Sequence, residues 1–437
     1  MSPTARPPAL WPALIPRADH LREDLCLVGA KGHRVRFADG REALCGTSGL
    51  WNVNLGYGNE AVAEASAQAL RDASYLSVFR YSNSYARAAA ETVVGLAGPD
   101  RFARVLFSTS GGAANDAVLK LVRHVHAIEG HSARRIVIGL RGSYHGLTYG
   151  GFSLTGENLG QQLYGVDPRF VRHVNPNAVD ELTEVLAELG DRVAAVVVEP
   201  VLGSGTIALD DDYVAALLAL RSQHGFLLVA DEVATGYGRT GPMFASSAWP
   251  AAPDVLITSK GLTNGAAAAA AVLVSHRIAQ AFEGSDQVLV HAETQAGTPA
   301  SCAVISAVAE EFARLDALGN GQRLAAALDA GLTSLADRLP VPTSTAGRGL
   351  FRTLHAHTAD GAPVGPAVVA QLITAVREAG AVVHPGPGGI QLIPALTYSE
   401  AEVTELLGCV ELGFARVAAS GGFGRPESPA PALERAS

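Results

Sequence analysis

The sequence predicts an α/β protein, with a large domain on a mostly parallel sheet and a smaller α+β domain after it. Three observations carry that expectation. Short apolar runs rich in valine, isoleucine and leucine recur through the middle of the chain. Stretches of helical periodicity lie between them. A region near the C-terminus has its own helix, strand and helix. Apolar runs that alternate with helices mark a parallel sheet covered on both faces.

The elements follow in chain order. Residues 1–60 read as an N-terminal segment that joins the smaller domain, with a proline-rich, extended start up to about residue 18. Residues 61–320 form the large domain. Strands buried on both faces are expected at Val105–Phe107, Arg135–Gly139, Ala194–Val198, Phe226–Ala230 and Val255–Ile257. Helices are expected at Ala113–Ile128 and Asp212–His224; the first places Ala114, Val118, Leu121, Val122 and Val125 on one face. Residues 321–420 form the small domain, with a helix at Gln322–Leu339, a strand at Leu350–Ala356 and a helix at Pro366–Ala379. Residues 421–437 read as a disordered tail.

Composition removes several function classes. Hydrophobic residues make up 48% and charged residues 17% of the 437, which is globular. The net charge is −9 and no basic cluster stands out, which argues against nucleic acid. The longest apolar run, Ala266–Val274, falls short of the roughly 20 residues that cross a bilayer. Prolines interrupt the N-terminus where a signal peptide needs an apolar core. Cys26, Cys45, Cys302 and Cys409 are scattered, without metal spacing, and read as free thiols of a cytoplasmic protein with no metal site.

In open parallel sheets, ligands sit beyond the carboxyl ends of the strands. Four such ends carry chemistry. Lysine occurs only at Lys31, Lys120 and Lys260, while arginine supplies the rest of the 33 basic residues. Lys260 follows the apolar Val255-Leu256-Ile257. Only a primary amine can lose its proton and attack a carbonyl, which arginine cannot do. The plain alternative is a lysine that caps a strand end. Ser110, Gly111 and Gly112 stand between a strand and a helix, where free N–H groups bind phosphate; an ordinary strand-to-helix turn reads the same way. Tyr144 ends the second strand and can stack on a flat ring, or fill core. Asp231 ends the apolar run Val229-Ala230. A carboxylate there is costly unless it meets a cation such as a protonated ring nitrogen, or caps the next turn. Together the four are the parts that pyridoxal 5′-phosphate needs.

The order of these motifs resembles the class III aminotransferases, pyridoxal-phosphate enzymes of fold type I. The resemblance runs from Gly49-Leu50-Trp51-Asn52 through Ser110–Asp116, Tyr144-His145-Gly146, Glu199-Pro200, Asp231–Gly241 and Ser259-Lys260-Gly261. It continues to Thr294–Pro299 and Gly347–Phe351. It implies that Lys260 bonds the cofactor's aldehyde and shuttles a proton, and that Asp231 keeps the ring nitrogen protonated. Tyr144 and Val233 flank the ring, Gly111 and Gly112 with Ser110 hold the phosphate, and Glu199 supports the Asp231 region. Thr294 reaches the phosphate of the other subunit, so a homodimer shares its sites. Trp51 lines the substrate channel. The reaction implied moves an amino group from a small amine donor to a carbonyl acceptor. An aminomutase, epimerase or decarboxylase would use nearly the same site, and a non-catalytic cofactor-binding subunit is the remaining alternative.

Three departures concern the substrate. Members that use glutamate or 4-aminobutyrate carry an arginine where this chain has Gln391, and a gating glutamate where it has Ser204. The mobile arginine of amine transaminases is matched most nearly by His384. The usual Ser-Glu pair after the phosphate glycine is Gly112-Ala113. Arg80 and Arg348 are the cations that could stand in. Loss of a bidentate arginine implies a substrate without an α-carboxylate: an amine, a diamine or ω-amine, an amino ketone or a converted peptide end, to which Gln391 could hydrogen-bond. The profile resembles the daptide-type aminotransferases of ribosomal-peptide pathways, which aminate a C-terminal ketone in secondary metabolism.

Overall fold

The computed structural model describes residues 9–424. Three N-terminal strands, β1 (Leu27–Lys31), β2 (Arg34–Phe37) and β3 (Glu42–Cys45), form an antiparallel set. The central sheet comprises β4 (Phe102–Ser108), β5 (Ile136–Leu140), β6 (Val171–Val174), β7 (Val193–Val198), β8 (Leu227–Asp231), β9 (Val255–Thr258) and β10 (Ala270–Ser275). Its seven strands run in the order β4-β10-β9-β8-β7-β5-β6. β6, β5, β7, β8 and β9 are parallel neighbours. β10 runs antiparallel between β4 and β9.

The pleat of β7 shows why the sequence alternates as it does. Its six residues are all buried, yet they serve opposite faces. Ala195 and Val197 pack with Val118, Leu121 and Val122 of the helix Gly111–Ile128. Val196 and Val198 pack with Leu182, Leu186 and Leu217 of the helices Val179–Leu189 and Asp211–His224. Each large aliphatic side chain buried this way contributes roughly 1.5–3 kcal/mol.

Beyond the sheet, β11 (Thr343–Arg348), β12 (Phe351–Ala356), β13 (Ala381–Val382), β14 (His384–Gly386) and β15 (Gly389–Leu392) complete the strands. β11, β12, β15 and β14 make an antiparallel sheet in that order. β13 pairs parallel with β3, so the first strands of the chain join its last third. The helices Ala317–Ala336, Pro366–Ala379 and Glu400–Ala419 cover this region, with Leu328, Leu372 and Val410 in a shared core.

Several sequence expectations are corrected here. Val105–Phe107 lies in a strand, but its residues are only partly buried, because β4 is the edge of the sheet. β6 and the antiparallel β10 were not foreseen. The helix expected at Gln322–Leu339 begins five residues earlier, at Ala317, after Asp316 turns the chain with φ of 45°. Within the expected extended start, Arg17–Asp19 forms a short 3-10 turn, and residues 1–8 lie outside the described residues. The expected tail lies outside them from residue 425; Gly422–Gly424 form a 3-10 turn whose Phe423 ring stacks on Phe414. All four cysteines are free thiols. No helix among the described residues is long and apolar enough to cross a membrane.

The loop after β8 is pinned by a buried arginine. Arg239 donates to Pro394 O (2.5 Å) and Asn54 Oδ1 (2.6 Å), and Asn54 donates to Tyr237 O (2.7 Å). One side chain thus joins three distant segments. An Arg239→Met substitution keeps the bulk but leaves two buried acceptors without donors. We expect it to lower stability by about 3 kcal/mol, read as an earlier urea midpoint of the cofactor-free protein. An unchanged midpoint would show that the junction does not depend on these bonds.

Candidate active site

The carboxyl ends of β4, β5, β7, β8 and β9 lie along one edge of the sheet, and the residues singled out by sequence follow them. Asp231 is the last residue of β8 and is 2% exposed. Its Oδ2 accepts from Asn115 Nδ2 (2.9 Å) and His145 Nδ1 (2.7 Å), and its Oδ1 from Val233 N (3.1 Å). Burial works against a charged His145 ring, but the hydrogen bond and charge of Asp231, with Glu199 beyond, hold the imidazole above its ordinary value. His145 Nε2 is buried without a partner. Neither His145 nor Asn115 was assigned a role from sequence. The available signal was their position, one residue after Tyr144 and one helical turn after Gly111.

The glycines bring the loops together. A Cβ on Gly111 would lie 3.0 Å from both methyls of Val233. Gly146 has φ of +107°, and a Cβ there would lie 2.5 Å from Gly112 Cα, so two backbones touch. Ser110 caps the helix that starts at Gly111, its Oγ accepting from Ala113 N at 3.2 Å. The first N–H groups of a helix look outward for partners, which makes this start an anion cradle.

Tyr144 is partly exposed beside that cradle, and its N donates to Glu199 Oε2 (3.0 Å). Glu199 Oε1 accepts from Gly203 N (3.0 Å). Burial pushes the Glu199 carboxyl up to about 7, although His145 and the two N–H groups favour its charged form.

Lys260 follows β9 with φ of +44°, a left-handed conformation that a non-glycine residue adopts only at a cost. Its Nζ lies 4.3 Å from the centroid of the Trp51 ring. Burial depresses the ammonium to about 8, and the charges of Glu199 and Asp231 restore only part of the loss. Trp51, itself at φ of +61°, meets Phe351 (5.1 Å) and His384 (5.3 Å) edge to face. Burial, with the Lys260 charge adding to it, lowers the His384 imidazole.

One expected substrate residue is placed differently from the sequence reading. Gln391 is 1% exposed, and its Nε2 donates to Gly203 O at 2.7 Å. β15 carries it inward, so that donor braces a loop instead of reaching out to a substrate amide. Ser204 starts the turn beside that brace. Arg348 is likewise engaged, donating to Leu209 O at 2.9 Å. Thr294 is exposed in the single chain, with its O accepting from Tyr75 OH at 3.0 Å.

The aminotransferase class-III family profile matches residues 16–412. The chain belongs to that family. An acetylornithine aminotransferase of Xylella fastidiosa is 33% identical over 389 residues, covering 87% of this chain and 90% of the relative. An omega-aminotransferase of Caulobacter vibrioides is 30% identical over 383 residues, covering 82% and 87%. Among solved structures, the PLP-bound amine transaminase from an uncultivated Pseudomonas species superposes with a TM-score of 0.89. It is 31% identical and is covered over 99% of its length by 94% of this chain. The protein is therefore a pyridoxal-phosphate-dependent aminotransferase of fold type I, acting on amine donors and carbonyl acceptors.

In this aminotransferase the depressed amine has a direct consequence. A lowered lysine pKa means that the neutral, nucleophilic form gains ground at lower pH. Stripped of cofactor, the protein should show Lys260 acylation that rises with pH and is half-maximal near 8, well below the 10.5 of an ordinary lysine. Peptide mass spectrometry of a pH series measures this. A midpoint near 10.5 would show that burial does not govern the amine.

Proposed function

We propose that this aminotransferase delivers nitrogen to a ketone or aldehyde whose reacting carbon carries no carboxylate. When bound, pyridoxal phosphate supplies an aldehyde that bonds amines and a ring that draws electrons from the neighbouring carbon. The residues present suit that group: an amine at Lys260, a braced carboxylate at Asp231 and a glycine-bounded helix start. In this reading the Lys260 amine holds the cofactor and moves the proton, and Asp231 keeps the ring nitrogen protonated. Tyr144 and Val233 flank the ring, and Glu199 backs the Tyr144 loop. Ser110, Gly111 and Gly112 hold the phosphate, joined by Thr294 of the partner subunit in a homodimer. Trp51 and His384 border the substrate beside Lys260, and Ser204 lies behind them.

The observation that carries the substrate reading is Gln391. By the family resemblance it stands where glutamate-using members carry arginine, and it is buried against Gly203. With Ser204 in the gate position, neither that position nor 391 offers a guanidinium fork for an α-carboxylate, and Arg348 gives one N–H to Leu209 O. Within the remaining class we favour a peptide C-terminus converted to a ketone, in the secondary metabolism of the cytoplasm. The omega-aminotransferase likeness supports ω-amines and diamines as the second reading.

Amines and diamines should outpace glutamate as donors by about thirtyfold in kcat/KM, the equivalent of about 2 kcal/mol from one lost charge-assisted contact. A donor screen followed by the cofactor's absorbance measures the ratio, and glutamate as best donor would overturn the reading. Lys260→Ala should cost at least about 10³ in turnover if the amine moves the proton; full turnover would remove Lys260 from the mechanism.

A further inference from the structure

One carboxylate outside the residues assigned above stands at the edge of the glycine cradle. Glu293 follows a stretch that exposes Val288 and Val290, and it immediately precedes Thr294. Its carboxylate accepts from Ser108 Oγ (2.5 Å), from Thr109 N (3.0 Å) and from Thr109 Oγ1. Ser108 ends β4, and Thr109 is the residue before the helix cap Ser110. Three donors on two consecutive residues therefore converge on one side chain about 184 positions away. Burial works against its charge, but these donors, with His291, hold Glu293 below the ordinary carboxylate range.

A second link runs through His291. Its Nε2 lies 3.5 Å from Glu293 Oε1, and its Nδ1 lies 3.4 Å from Lys120 Nζ on the helix Gly111–Ile128. The stretch is thus laced both to the strand that enters the cradle and to the helix that leaves it. Glu293 and Thr294 share a peptide bond, and Thr294 O is fixed by Tyr75 OH. Whatever sets Thr109 sets Glu293, and with it the bearing of Thr294.

We infer that Glu293 is a positioning residue that couples the two cofactor sites of a dimer, tying the phosphate cradle of its own chain to the Thr294 that serves the partner's cradle. The inference rests on the reading of Thr294 proposed above. A phosphate seated on Gly111 and Gly112 orders the Thr109–Ser110 turn. That turn orders Glu293, and Thr294 is then already in place when the second phosphate arrives. The first binding event lowers the ordering cost of the second, which is positive cooperativity.

The test uses full-length protein stripped of cofactor and titrated with pyridoxamine 5′-phosphate. That compound has no aldehyde to bond Lys260, so its binding reads the noncovalent contacts, the phosphate grip among them, without the covalent link. With coupling of about tenfold, the wild type should bind with a Hill coefficient of about 1.5. Glu293→Gln should remain a dimer by sedimentation, bind about tenfold more weakly and lose the steepness. Thr109→Val should move the same way by less, and it carries the test if Glu293→Gln does not fold. A wild-type coefficient of 1, or Glu293→Gln with wild-type affinity and steepness, overturns the coupling. Thr294→Ala separates the two layers. If it leaves affinity unchanged, the reading of Thr294 has failed and the coupling with it; if it weakens binding while Glu293→Gln does not, only the coupling has failed.

Discussion

The site depends on keeping a carboxylate charged where water does not reach. Asp231 ends a strand buried on both faces, and an isolated charge there would cost several kcal/mol. Asn115, His145 and the Val233 N–H share that cost, each from a different segment. The same three bonds fix where the segments lie relative to one another. Asn115 belongs to the helix of the anion cradle, His145 to the loop that carries Tyr144, and Val233 to the chain that packs on Gly111. Satisfying the charge and assembling the site are therefore one event.

Close backbone contact makes that assembly tight. Gly146 leaves no room for a Cβ against Gly112, and a side chain on Gly111 would press on the Val233 methyls. The loops after β4, β5 and β8 can converge because the parallel strands β5, β7, β8 and β9 all end at one edge. β4 reaches the same edge through β10, which reverses direction between β9 and β4. An odd antiparallel strand in a parallel sheet is thus what brings the cradle beside Lys260's strand.

That reversal also marks where sequence reasoning stopped. The runs that became β5, β7, β8 and β9 announced themselves, because strands buried on both faces are apolar throughout. The run Ala266–Val274 was just as apolar, yet most of it is alanine, which has weak strand preference. The catalytic-type residues were legible because their chemistry is out of place at the end of an apolar run: an amine in a lysine-poor chain, and a carboxylate after Val229-Ala230. His145, Asn115 and Glu293 were not legible. Their meaning lies in partners 86, 116 and 184 residues away, and nothing local distinguishes a histidine that braces a carboxylate from one that fills core.

Gln391 shows how one buried side chain joins distant loops. Its amide donates to Gly203 O; Gly203 N donates to Glu199 Oε1; and Glu199 Oε2 accepts from Tyr144 N. A continuous hydrogen-bonded line thus runs from β15 to the Tyr144 loop. A Cβ on Gly203 would press on the Trp51 ring at 3.0 Å. The strand β15 and the loop that carries Tyr144 are in this way one structure. The line passes through Glu199, whose charge lies within the field of Asp231 and Lys260. In this chain the bracing of the Tyr144 loop thus begins at a glutamine buried on β15.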